Sequence, residues 1–197
     1  MTCVTHRFPL PIASIASGPP AGRTARPTAR VIELARFDRT THLQDRTAFA
    51  AALDEMLATG TNGARPALLV FDIDRFDAVT DAFGPATGDA LLRAIGEVLV
   101  AMIARRSVIA CLAPRAFALF LPGNEKEHTA LAFARRLARR FAEGFRVDGK
   151  RFPLSLSIGL AFCPADGVGA ESLIRNAGSA RHAARNLGGN RIKSHER

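Results

Sequence analysis

The chain has 197 residues, 48% of them hydrophobic, and carries 27 Lys and Arg against 18 Asp and Glu, for a net charge of +9 and a pI near 11.0. That length can bury a substantial core in one domain. The basic balance does not make a nucleic-acid or membrane binder: the Arg are spread over several segments, no recognition-helix motif occurs, and without Trp or Tyr a base-stacking platform would rest on Phe alone.

Residues 1–37 hold Pro9, Pro11, Pro19, Pro20 and Pro27 among scattered Arg, Ser and Gly. Such a segment buries too little apolar area to offset its ordering entropy, so a disordered basic tail is expected. Within it, Phe8 to Ala16 is too short and proline-broken to span a membrane, and the apolar region around Ala13-Ser14-Ile15-Ala16 is too interrupted for a secretory signal. Residues 30–37 have helical spacing and are expected as a short helix ending the tail. Thr47 to Thr59 places Phe49, Ala50, Leu53, Met56 and Leu57 at helical intervals. Ala67 to Ile73 is a continuous apolar run suited to a strand covered on both faces, and it delivers Asp72 and Asp74 into a turn.

Ala86 to Arg105 reads as one long amphipathic helix. Val108 to Leu112 and Ala116 to Leu121 are expected to pair as a hairpin around Ala113-Pro114-Arg115, and Glu125 to Gly144 as a helix with Ala130, Leu137 and Phe141 inward. Asp148-Gly149 is a tight-turn dipeptide between short strand candidates, and Leu154 to Phe162 is another strand. Ala170 to Asn186 forms the last helix, stopped by Gly188-Gly189.

Common catalytic sets are missing. Cys3, Cys111 and Cys163 show no paired pattern or metal-type spacing, which points to a reducing compartment with Cys111 and Cys163 as packing residues. His6, His42, His128, His182 and His195 have no HExxH spacing, no Ser lies in a G-x-S-x-G elbow, and the glycine pairs are too isolated for a P-loop.

Six segments in order carry a resemblance. Asp38 to Phe49 reads as an opening turn of the form D-x-L-T-G-L-x-N-R-x-x-F; then come Phe71-Asp72-Ile73-Asp74-Arg75-Phe76, Gly88-Asp89, Leu121-Pro122-Gly123, Ser157 to Ala161, and Gly188-Gly189-Asn190-Arg191. Over Asp38 to the C-terminus the chain resembles a GGDEF domain, the diguanylate cyclase family that condenses two GTP into cyclic di-GMP. The resemblance implies an α/β (α+β) fold of the ferredoxin-like palm type. Its core is βαββαβ, with a central, mostly antiparallel sheet flanked by helices and an extra hairpin. It also implies a bacterial, cytoplasmic setting and a domain over residues 38–197 behind the 1–37 tail.

The same resemblance assigns the site. In the family, the first Asp of the D-I-D run and the third residue of the G-G-D/E-E-F signature hold Mg²⁺, and these fall on Asp72 and Arg115. Guanidinium has no acceptor and stays protonated, so Arg115 cannot ligate a cation. The two signature glycines fall on Ala113 and Pro114, and proline removes a backbone donor. The acidic fourth position is Ala116; Phe117 is kept as core. Nucleotide-binding positions fall on Phe76, Thr80 and Asp89, and a phosphate-facing cation on Arg185, while its companion is Gly189. The product-feedback pair falls on Ala104 and Ser107, neither of which matches.

Two accounts of Arg115 stand: an ion pair with Asp72 or Asp74, or a grip on an anionic ligand in place of metal. The expected function is a degenerate, catalytically inactive GGDEF domain serving as a binding or interaction module in cyclic-di-GMP-related signalling. The alternatives are a weak or altered cyclase using Mg²⁺ at Asp72, and a guanine-nucleotide sensor using Asp89 and Arg185. Expected partners are GTP or cyclic di-GMP, a signalling protein, and a second copy in a homodimer.

Overall fold

The computed structural model describes residues 36–59, 65–103, 107–123 and 127–196. The tail expected over residues 1–37 lies outside them except for Arg36 and Phe37. Phe37 forms an antiparallel bridge with Gln44 where the end of a short helix was expected.

Helix α1 (Arg46–Ala58) begins where the Asp45 carboxylate accepts the Ala48 amide at 2.7 Å, which satisfies one of the orphan donors of a first turn; the helix buries Phe49 and Leu53. Strand β1 (Ala67–Ile73) is buried at every position because both its faces are covered. Then follow α2 (Phe76–Phe83), α3 (Pro85–Met102), the hairpin β2 (Val108–Ala113) and β3 (Ala116–Leu121), and α4 (Glu127–Ala142). A small hairpin of β4 (Phe145–Val147) and β5 (Lys150–Phe152) precedes β6 (Leu156–Phe162), α5 (Ala170–Asn186) and β7 (Arg191–Ser194).

The main sheet has the order β2-β3-β1-β6-β7, with β1 antiparallel to both β3 and β6, and β7 parallel to β6. With α2 and α3 joining β1 to β2, and α4 leading from β3 toward β6, this is the expected βαββαβ palm. The separate β4–β5 pair is the expected extra hairpin.

Alternation along β1 sorts the core into two layers. Leu69, Phe71 and Ile73 pack toward α3 and α4 with Leu91, Ile95 and Phe141, while Leu68 and Val70 meet α1 and α5 through Phe49, Leu53, Leu173 and Ile174. Phe71 stacks on its register partner Phe117 with ring centroids 5.5 Å apart, a contact worth about 0.5–1.5 kcal/mol beyond burial. Asp72 follows Leu68 and Val70 in the second series, so the pleat turns it toward α5.

Two elements depart from the sequence pattern. The helix expected over Ala86 to Arg105 is present as α3, opened by Pro85, but the separate helix α2 ahead of it has no counterpart in the sequence reading. Gly84 separates them at φ 85°, ψ 161°, a backbone state available to glycine, and a residue before proline is steered away from the α region. No strand is expected over Arg-Ile-Lys-Ser, residues 191–194, because four residues with one apolar side chain show no alternation; β6 recruits them as a parallel edge. Among the described residues no helix is long and apolar enough to cross a membrane.

Helix and sheet come into backbone contact at Gly159 in β6. A Cβ there would lie 2.1 Å from the Ala177 carbonyl oxygen and 2.2 Å from the Arg181 amide nitrogen, both backbone atoms of α5. Only a residue without a side chain lets α5 sit this low. Gly159→Ala is therefore expected to lower stability by about 2–3 kcal/mol through overpacking, read as a lower urea midpoint; an unchanged midpoint would contradict the contact.

Candidate functional site

The site is built where β1 ends. Asp72 is opposite Ala116 of β3 and Ser157 of β6, and the amide of Ile73 donates to the carbonyl of Arg115 at 3.2 Å. The end of β1 and the β2–β3 tip, Ala113 to Ala116, thus lie side by side, as the palm requires. Helix α5, held low over β6 by Gly159, brings two arginines one turn apart across this point. Arg181 Nη1 donates to Asp72 Oδ1 at 2.7 Å and Arg185 Nη1 donates to Oδ2 at 3.3 Å. The Asp72 side chain is 7% exposed, against 25% for Arg181 and 48% for Arg185.

A carboxylate this buried is tolerated because it is paired; a buried ion pair roughly breaks even against its desolvation, and what costs is losing a partner. The pairing is not complete in every donor, since the buried Arg181 Nε has no acceptor among the described residues. Hydrogen-bond completeness at this point has given way to placing two guanidinium groups on one carboxylate.

Asp74 has a different task. Its carboxylate accepts the Ser155 hydroxyl at 2.8 Å, the Ser157 hydroxyl at 2.6 Å and the Asn190 amide at 2.8 Å. Its own amide donates to the Ser155 carbonyl at 2.9 Å. These bonds tie the exit of β1 to the start of β6 and to the Gly188-Gly189-Asn190 turn ahead of β7. Asp74 is a clasp between elements, outside the cleft lining.

Arg115 takes neither of the partners expected for it. Its guanidinium pairs with Asp77 in the first turn of α2, while Asp72 is already held by α5 and Asp74 by the serines. The bond to Arg115 holds the Asp77 carboxyl below the usual carboxylate range and raises Arg115 further above its own. Asp77 is exposed, so this is a solvent-screened pair at the rim.

Between the tip, α2, α3 and α5 lies an open cleft of about 600 Å³. Its charged lining comprises Arg115, Arg181 and Arg185 together with Asp72, Asp77 and Asp89. Phe76, Thr80, Pro85, Gly88 and Leu92 from α2 and α3 line it as well. Six of the positions assigned from the sequence, Asp72, Phe76, Thr80, Asp89, Arg115 and Arg185, thus line one cleft, whereas Gly189 does not. Their surroundings differ: Phe76 is buried with the core, Thr80 donates its hydroxyl to the Asp77 carbonyl at 2.8 Å, and Asp89 is exposed at the rim. Ser107 does not line this cleft, and Ala104 lies outside the described residues.

Arg181 is a charged cleft residue that sequence reading did not single out. The signal was there: Arg181 and Arg185 are four apart, so they share a helix face.

These residues do not fit Mg²⁺. Both Asp72 oxygens are bonded to guanidinium, the neighbouring hairpin tip carries Arg115 into the same cleft, and no group of three or more His, Cys, Asp or Glu suited to a metal occurs among the described residues. Arg181→Ala would leave Asp72 with the half-exposed Arg185 alone. It is expected to cost about 2–3 kcal/mol in chemical denaturation, against less than about 1 kcal/mol for Arg185→Ala. Equal losses for the two variants would contradict this burial-graded cluster.

The chain matches the family described as "Diguanylate cyclase, GGDEF domain" over residues 35–191. It is 31% identical over 163 residues to the cyclic di-GMP phosphodiesterase NbdA of Pseudomonas aeruginosa, covering 82% of this chain and 21% of that protein. It is also 31% identical over 167 residues to the bifunctional diguanylate cyclase/cyclic di-GMP phosphodiesterase MucR of the same organism, covering 84% and 24%. The chain thus spans between a fifth and a quarter of the length of these relatives. Among solved structures, the GGDEF domain of YfiN (TpbB) from Pseudomonas aeruginosa superposes with a TM-score of 0.75 at 26% identity, covering 80% of this chain and 99% of that one.

Proposed function

The chain belongs to the GGDEF family of cyclic-di-GMP signalling, and on that footing we propose that it is a non-cyclising member that works as a binding or interaction module. The observation that carries the proposal is the Asp72 carboxylate bonded on both oxygens by Arg181 and Arg185, beneath a tip that presents Arg115. Cyclisation of GTP is phosphoryl-transfer chemistry in which divalent metal must be held by anionic oxygen to orient the triphosphate and offset charge on the attacking and leaving oxygens. At the two positions that would supply that oxygen, one carboxylate is occupied by cations and the other is a cation. Pro114 at the tip also removes a backbone donor that could approach a phosphate.

A module of this kind has two classes of partner in view. One is a nucleotide, GTP or cyclic di-GMP, in the cleft. The other is a protein, including a second copy of the chain, recruited by a domain that no longer turns over. The nucleotide class is favoured by the presence in one cleft of Asp89 and Arg185, the positions that the family resemblance assigns to a guanine edge and a phosphate, so a guanine-nucleotide sensor is the second reading.

The test is direct. The chain incubated with GTP and Mg²⁺ or Mn²⁺ is expected to yield no cyclic di-GMP by mass spectrometry. Arg115→Glu alone is expected to leave it inactive, because Asp72 stays bonded to α5. Steady product formation by the unaltered chain would end the proposal.

A further inference from the structure

Building on that reading of a non-cyclising binding module, we infer that Arg181 and Arg185 form a metal-independent clamp for a polyphosphate, with Asp72 as their counter-ion and not a metal ligand. The ligand class is a nucleotide di- or triphosphate, or another polyphosphate, taken up without magnesium.

Several observations converge on this. Arg181 and Arg185 are one helical turn apart, and each gives a single N–H to Asp72, so two guanidinium groups share one carboxylate and the cluster keeps a net positive charge. The shared carboxylate holds both side chains against one point, which removes rotamer freedom that a ligand would otherwise have to freeze. Arg185 is half exposed, and its remaining N–H groups have no partner among the described residues. Guanidinium forks of this kind match phosphate oxygens two at a time. Arg115, carried on the hairpin tip, lines the same cleft. Its pair with the exposed Asp77 is a rim contact that water and salt already weaken, so an incoming anion displaces Asp77 at little cost.

The cations also decide what magnesium does. In a metal-dependent site the ion bridges carboxylate and phosphate, and its removal abolishes binding. Here the positive charge is covalently part of the chain. Magnesium on the polyphosphate would cancel charge and tie up the very oxygens that the forks need. Metal is thus an antagonist of binding.

Titration calorimetry of the full chain with GTP, ATP and inorganic tripolyphosphate, each in EDTA and in excess Mg²⁺, tests this. The expected result is binding of all three anions in EDTA, weakened at least fivefold by Mg²⁺. Binding of GTP with silence from tripolyphosphate would overturn the clamp. So would a requirement for Mg²⁺, or no binding of any anion in EDTA. Arg185→Gln should weaken tripolyphosphate binding about tenfold while the melting temperature stays near that of the parent, and unchanged affinity overturns the inference.

Asp72→Asn is the sharpest variant, because a counter-ion and a metal ligand predict opposite signs. Binding in EDTA should hold or tighten, and loss of binding by a folded variant would contradict the assignment. Should Asp72→Asn fail to fold, the Arg185→Gln and Mg²⁺ comparisons decide alone. Absence of binding together with absence of cyclic di-GMP would remove the clamp and leave the non-cyclising reading intact; product formation would remove the latter.

Discussion

Two arginines on one buried carboxylate organise this end of the molecule. Asp72 is carried on a strand that is covered on both faces, so its charge is affordable only with a partner in contact, and α5 provides two. That need constrains everything nearby. The helix must lie low enough for Arg181 to reach, which demands glycine at 159, and its last turn must point Arg185 at the other oxygen of the same carboxylate. The charge that a divalent cation would have supplied has moved into the chain itself. With a guanidinium on each oxygen the carboxylate is a poor ligand for metal, and replacing one residue at the hairpin tip would leave both bonds in place.

The two acidic residues at the end of β1 divide their labour by pleat and turn. Asp72 lies within the strand and faces α5. Asp74 lies just past it, in the turn toward α2, and its oxygens are taken by two serine hydroxyls and one amide from the β6 and β7 neighbourhood. One carboxylate sets the electrostatics of the cleft, and the other fastens the strand ends that frame it. The hairpin tip adds Arg115, whose partner comes from α2, so the cleft is crossed at its rim by an exposed pair and floored by a buried one.

Much of this could be read from residue order. The β1 strand and the last helix are found at the bounds expected, since a seven-residue apolar run and a helix closed by paired glycines leave little freedom. The cleft's membership was legible as well, because motif spacing places Asp72, Phe76, Thr80, Asp89, Arg115 and Arg185 on elements that a palm brings together. What was hidden depends on distances between elements. The Arg115 partner is one such case: three acidic residues, Asp72, Asp74 and Asp77, lie within six positions, and only the fold shows that two of them are already engaged. Arg181 was hidden by its setting in a helix rich in Arg, where facing can be read but reach cannot. The α2–α3 break and β7 escaped for local reasons, a glycine in an unusual backbone state and a strand too short to show a period.

The central claim is electrostatic: Asp72 neutralises arginine and does not bind metal. Anomalous scattering from crystals of the chain grown with Mn²⁺ and a nucleotide tests it most directly. The expected map has both Asp72 oxygens within bonding distance of guanidinium and no manganese peak beside them. A manganese ion coordinated by Asp72 between β1 and the β2–β3 tip, with Arg181 and Arg185 turned away, would contradict it.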